Sequence, residues 1–327
     1  MSSLSSRFLS KLSNNFIGLI LGIVNASIIP RVLGPAQYGD FNFLRDGFQQ
    51  IVSLIDLNSS NAFFIKSSRL KKSNEITLFQ FYYSLTVGIV LLMFVFLFHK
   101  TRFSHLFWPG QQMQYIYAAA ILGYVVYLVT NLTNLSDSKE LTVGAEWRRQ
   151  IVQVSGVLLL LLLYFTGSIK LSFVFAYFIV IHLLIIMAFT FYLKKKDVFD
   201  FKFNKIPLDK FKEILKYYYK FSFPLLVSLL VGFPISYFDQ WFLQLIDGST
   251  SQGYYSLAMK MTVISILFTN SITPVFIQSI AKAHAQNDDK RFVYLFKKVN
   301  LFYSSFFFGI LFFSCKGDSL CNWRRTI

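Results

Sequence analysis

Charge is scarce in this chain of 327 residues: only 15% are Asp, Glu, Lys or Arg, against about 25% in soluble domains. Acidic residues are the scarcest part, 16 against 32 basic ones. Cysteine is almost absent. The two present, Cys315 and Cys321, sit near the C-terminus and form neither a disulfide framework nor a CxxC metal pattern. The four histidines are scattered and no HExxH occurs. No GxxxxGK[ST] loop is present, which removes the usual phosphate cradle for ATP hydrolysis. No cofactor is expected.

Apolar residues are abundant at 54%, and the mean hydropathy is positive. Windows of about 20 apolar residues recur, each long enough to cross the hydrocarbon core. Only helices or closed barrels satisfy their backbone in lipid, and no strand-like alternation is visible. The sequence therefore predicts an all-α membrane protein, a polytopic bundle of about nine transmembrane helices. They are expected at 14–33, 40–65, 77–98, 113–133, 148–166, 170–193, 218–246, 254–281 and 297–315. The first lacks the charged start and cleavage site of a removable signal peptide and is read as a retained span.

With these spans, most of the basic residues fall on the side of the N-terminus: Arg7, Lys11, Lys66 to Lys72, Arg148, Arg149, and the lysines of 194–220 and 282–298. This asymmetry predicts a cytoplasmic N-terminus and explains the net charge of +16 without nucleic acid. The segment 194–220 also interleaves apolar residues such as Phe199, Phe201 and Phe211. It reads as a solvated topogenic loop or as a strip lying on the anionic inner leaflet.

The second span carries unusual polarity. At 100° per residue, Asn42, Asp46, Gln49, Ser53, Asp56 and Ser60 fall within roughly 80° of one another. Polar side chains are costly in lipid unless they face protein or water. The stripe predicts a hydrated cavity, with an interhelical hydrogen-bond seam as the competing reading.

Residues 14–46 and 228–260 look like copies at an offset of 214: Gly34-x4-Gly39 matches Gly248-x4-Gly253. Glycines at turns suit positive φ. The alignment places Asn25 on Asp239 and Asp46 on Lys260. An Asp239–Lys260 ion pair and an Asn25–Asp46 hydrogen bond are expected at mid-depth, serving structure, coupling or gating. Gly18 and Gly22 suggest a close packing face. Pro224 and Pro234 suggest a bend in one helix.

The stretch Ile29-Pro30-Arg31-Val32-Leu33-Gly34-Pro35-Ala36-Gln37-Tyr38-Gly39-Asp40-Phe41, together with Asp239-Gln240-Trp241, Gly253-Tyr254-Tyr255-Ser256-Leu257-Ala258-Met259-Lys260 and Pro274-Val275-Phe276, resembles the Wzx-type flippases of the polysaccharide transporter family. The similarity covers most of residues 5–300. That family shares a superfamily, MOP, with the MATE drug exporters and the lipid II flippase. The resemblance implies two six-helix bundles around a central cavity in the bacterial inner membrane. It implies a translocase rather than an enzyme, carrying undecaprenyl-diphosphate-linked oligosaccharide outward by alternating access, with a polysaccharide polymerase and a chain-length regulator as possible partners. On it, Arg31, Arg45 and Lys260 become the candidates for anion contacts, since Arg suits a diphosphate. Arg31 reads equally as an interfacial anchor. The chain departs from the family in its second half. Residues 1–196 supply six helices, 197–217 a basic linker, and 218–327 only about three helices with an atypical tail, as if truncated. A MATE-like exporter of small cations is one rival class, against which three cationic candidates argue; an inactive, truncated flippase fragment is the other.

Overall fold

The computed structural model describes residues 4–69, 74–99, 101, 104–165, 169–198, 206–260, 297 and 304. Its helices are α1 (Leu4–Asp56), α2 (Ser59–Arg69), α3 (Asn74–His99), α4 (Ser104–Phe107), α5 (Met113–Ser138), α6 (Thr142–Tyr164), α7 (Leu171–Lys195) and α8 (Leu208–Ile246). A further helical segment, 248–260, follows α8. Among the described residues five helices are long and apolar enough to cross a membrane, within α1, α3, α5, α7 and α8. The chain is a polytopic helical membrane protein. The expected helix 297–315, the tail, Pro274 and most of 254–281 lie outside the described residues.

α1 holds a candidate span of 41 residues, which would be about 60 Å if straight, twice the hydrocarbon thickness. It breaks at Gly34, whose φ of 73° and ψ of 168° are not helical. Positive φ there is cheap only for glycine. The expected span at 40–65 is corrected: it ends at Asp56, because Leu57 and Asn58 adopt φ of 51° and 60°, and α2 starts afresh at Ser59. Ser60 therefore leaves the helix that carries the rest of the stripe. α8 begins at Leu208 rather than 218, so half of the expected linker is helical. Pro207 marks its start as the N-cap, and a proline near the first turn loses no helix hydrogen bond.

α6 spends its first two turns on Glu146, Arg148 and Arg149 and becomes continuously apolar only near its end, Val157–Tyr164. The core of the bundle is aromatic. Phe41, Phe43, Phe48, Phe175 and Phe189 are fully buried. Phe48 stacks on Trp108 at 5.4 Å, and Phe41 on Phe178 at 5.3 Å. Such pairs add about 0.5–1.5 kcal/mol each beyond their burial. α5 is central, packed by α1, α3 and α7.

The two glycine motifs touch each other. A Cβ on Gly39 would collide with the Ser249 carbonyl oxygen and stand 2.7 Å from the Gly253 nitrogen; a Cβ on Gly253 would collide with the Pro35 carbonyl oxygen. Pro35 and Ser249 are themselves related by the offset of 214, so the contact is reciprocal, as across a local two-fold axis. Gly248 mirrors Gly34, with φ of 76° against 73°. By contrast, Gly18 and Gly22 have open space around them among the described residues; no packing face forms on them there.

Gly39→Ala and Gly253→Ala should each destabilise the fold by about 1–3 kcal/mol, the cost of overpacking where backbone is the neighbour. Gly18→Ala should be neutral or slightly stabilising. Thermal unfolding in detergent checks this; equal midpoints for all three variants would refute the close approach.

Candidate functional site

The second half of α1 and α8 flank an open groove of about 300 Å³ lined by Gln50, Ser53, Asn58, Ser228, Phe233 and Ser236, among others. Beyond the groove, toward the glycine crossing, the two helices close on each other. Gly47 fits against the Tyr237 ring, and Phe43 stacks on the same ring at 5.9 Å. Around the crossing runs a set of hydrogen bonds. Asp40 accepts from Ser249 Oγ and from Gln111 Nε2, both at 2.5 Å. Three side chains of α8 donate to carbonyls of the α3–α5 connection: Tyr237 to Phe107 at 3.1 Å, Trp241 to Leu106 at 2.7 Å, and Gln244 to Pro109 at 3.3 Å. Asp40, Gln111, Tyr237 and Gln244 were not singled out by sequence reading; only Trp241 and Asp40 fell within quoted motifs.

The expected pairs do not form. Asp46 is held by its neighbour Arg45, whose Nε and Nη2 donate to the same carboxylate oxygen at 2.8 and 2.6 Å. Asn25 Oδ1 is buried without a partner. Asp239 is exposed. Lys260 instead places its ammonium 5.0 Å over the Tyr38 ring, a cation–π contact, and the charges that act on it are Arg45 and Asp46. The physical reason is the reciprocal crossing. It turns residue 260 of one copy toward residue 46 of the other, whereas the expected pairs assumed that each hairpin closes on itself. Arg31 is exposed three residues before the kink and is not among the charges that act on Lys260.

The polar stripe divides. Gln49 and Ser53 are exposed and Asp46 is partly so; Ser53 lines the groove. Asn42 is fully buried and donates to the Tyr38 carbonyl at 2.8 Å. Asp56 is committed to structure. Its carboxylate accepts from Ser59 Oγ at 2.5 Å, Ser60 N at 3.2 Å, Ser60 Oγ at 3.0 Å and Tyr127 OH at 2.9 Å. That satisfies the free N–H groups at the start of α2, as a cap does. Tyr83 OH donates to the Asp56 carbonyl at 3.2 Å.

A second polar group joins α1 to α6. Asn14 donates to the buried Glu146 carboxylate, and Arg149 stands 3.9 Å from it. His182 on α7 donates from Nδ1 to the Phe178 carbonyl at 2.7 Å and lies within the electrostatic reach of Arg149 and Arg45. Glu146 was invisible to sequence reading because its arginine neighbours looked topogenic.

Repeated helix pairs meeting across a polar groove define a multi-pass helical membrane protein of the repeat-built kind. The model of the family described as Polysaccharide biosynthesis protein matches residues 6–284, and the chain belongs to that family. No curated protein and no solved structure matches it.

Asp56→Ala should cost about 2–4 kcal/mol, combining a lost cap with an orphaned buried Tyr127 hydroxyl. Unfolding midpoints read it, and a change within experimental scatter would remove Asp56 from the framework. In the same background, single cysteines at 49 and 53 should react with a water-soluble thiol reagent and one at 42 should not; the reverse pattern would contradict the placement of the stripe.

Proposed function

We propose that the chain is a translocase that moves a lipid-linked oligosaccharide from the cytoplasmic to the outer leaflet by alternating access. The substrate class is an undecaprenyl-diphosphate-linked repeat unit of O-antigen or capsule. Membership of a polysaccharide biosynthesis family, which covers Wzx-type flippases and related carriers, supports a transporter over an enzyme.

The reading rests on the open groove along the second half of α1 and α8, together with the close backbone crossing where Gly39 meets Gly253. An N-terminus in the cytoplasm, as the lysine distribution favours, puts that crossing on the outer side. The described state is then inward-facing, in an inner-membrane carrier. Arg45 and Lys260 lie within about two helical turns of the crossing glycines, and one carboxylate, Asp46, pairs with the first and acts on the second. The pair Arg45–Asp46 retains side-chain exposures of 22% and 30%, so a diphosphate can reach the guanidinium and displace the carboxylate. Arginine offers two parallel donors to adjacent phosphate oxygens. Arg31, exposed near the kink, serves as a later anion contact on the outward path. A polymerase and a chain-length regulator would receive the product.

Arg45→Gln and Lys260→Gln should each lower translocation about 10- to 100-fold, the range of one lost charge-assisted hydrogen bond. The assay is purified protein in liposomes loaded with a lipid-linked oligosaccharide, read by exposure of the glycan to an external lectin. Unchanged rates in both variants would remove the anion site. Export of a cationic dye with no movement of the glycan would favour the MATE-like class.

A further inference from the structure

A second cavity lies away from the groove. α3 and α7 both pack on α5, and between them a cleft of about 210 Å³ runs over it, lined by Phe63, Phe81, Leu128, Leu132 and Ile186 among others. Its flanks continue into exposed apolar residues, Leu85 on α3 and Met187 on α7, which is the surface this bundle offers to lipid. The polar groups at its floor are spent inside the protein. Gln80 donates to Asn131 at 3.2 Å, Asn131 to Ser84 at 3.2 Å, and Tyr218 to Gln80 at 2.9 Å. None of the lining side chains is left with a buried unpartnered atom. Water in a cavity needs two to four polar partners, whereas each polar side chain here already has one inside the protein and most of the lining is apolar. Hydrocarbon is the occupant its chemistry suits.

One end of the cleft is basic. Leu135 and Leu193 close it. Lys139 stands one helical turn beyond Leu135 on the same face, and Leu193 runs directly into the exposed Lys194, Lys195 and Lys196. Lys139 Nζ donates to the Ser67 carbonyl at 3.1 Å. Burial lowers its pKa from the ordinary lysine value, as expected of a partly desolvated ammonium. Acidic residues stand among these lysines in the sequence, Asp137 and Glu140 about Lys139 and Asp197 after Lys196, and the lysines outnumber them; Asp137 accepts from the Thr142 hydroxyl at 2.7 Å. An apolar slot ending in a lysine rim matches a molecule with a hydrocarbon chain and an anionic head.

We propose that the α3–α5–α7 cleft binds an anionic glycerophospholipid, with one acyl chain over α5 and the phosphate on Lys139 and Lys194–Lys196. This lipid is a resident partner, and its site is independent of the proposed transport.

The test uses the full chain purified in detergent and titrated with phosphatidylglycerol or phosphatidylcholine, with retained lipid counted by native mass spectrometry. The wild type should prefer phosphatidylglycerol, by about fivefold for each lysine the headgroup meets. The quadruple variant Lys139→Gln, Lys194→Gln, Lys195→Gln, Lys196→Gln should lose that preference and keep phosphatidylcholine-level binding. Leu128→Trp, which fills the cleft, should abolish retention of both, and Ile186→Phe is the second filling variant should the first fail to fold. Equal binding of the two lipids by the wild type, or undiminished retention in a folded filling variant, would overturn the proposal.

Discussion

Two stretches of main chain lie against each other at Gly39 and Gly253, and the remainder of the bundle is arranged to allow it. In lipid the hydrophobic effect gives no reason for one helix to prefer another over an acyl chain, so close packing and hydrogen bonds must do so. Here the missing Cβ atoms permit a backbone approach that any side chain would block. Once it is made, Gly47 receives the Tyr237 ring, Phe43 stacks on it, and Asp40 meets Ser249. The approach has a cost. Tyr38 OH, Asn42 Oδ1, Gln244 Oε1 and both amide atoms of Gln252 are buried near it without partners, at about 1–3 kcal/mol for each such group. A contact that hides so many unsatisfied atoms among the described residues is less stable than its geometry suggests.

The charged residues obey the same constraint. A carboxylate and two cations at depth need mutual neutralisation or water. Arg45 and Asp46 are adjacent on one helix and pair locally, while Lys260 settles over an aromatic face. Neither arrangement fills the hydrogen-bonding capacity of the two cations. Asp56 shows the opposite outcome: four donors converge on its carboxylate, and it serves as a fixed joint between α1 and α2.

The helical membrane class, the break at Gly34 and the internal repeat were legible in the sequence because hydropathy, glycine spacing and a constant offset are one-dimensional signals. The partners of the buried polar residues were not. The alignment rightly set Asp46 opposite Lys260 in register, yet assigned Lys260 to Asp239, since nothing in the order of residues says which copy a side chain faces. The helix wheel of the second span failed at Leu57 and Asn58 for a related reason. Neither is glycine, and their left-handed conformation is sustained by Asp56, Tyr83 and Tyr127, the last two contributed by other helices. The early start of α8 was hidden by lysines that look like a loop and instead decorate a helix.

The reciprocity of the glycine contact makes the four-residue interval between Gly34 and Gly39, and its twin between Gly248 and Gly253, a shared dimension. Adding one residue to either interval would rotate everything beyond it by about 100°. Gly39 or Gly253 would swing off the interface, and the opposing copy would meet a β-carbon in its place. The two halves of the chain are thus coupled in their spacing even where their side chains have diverged.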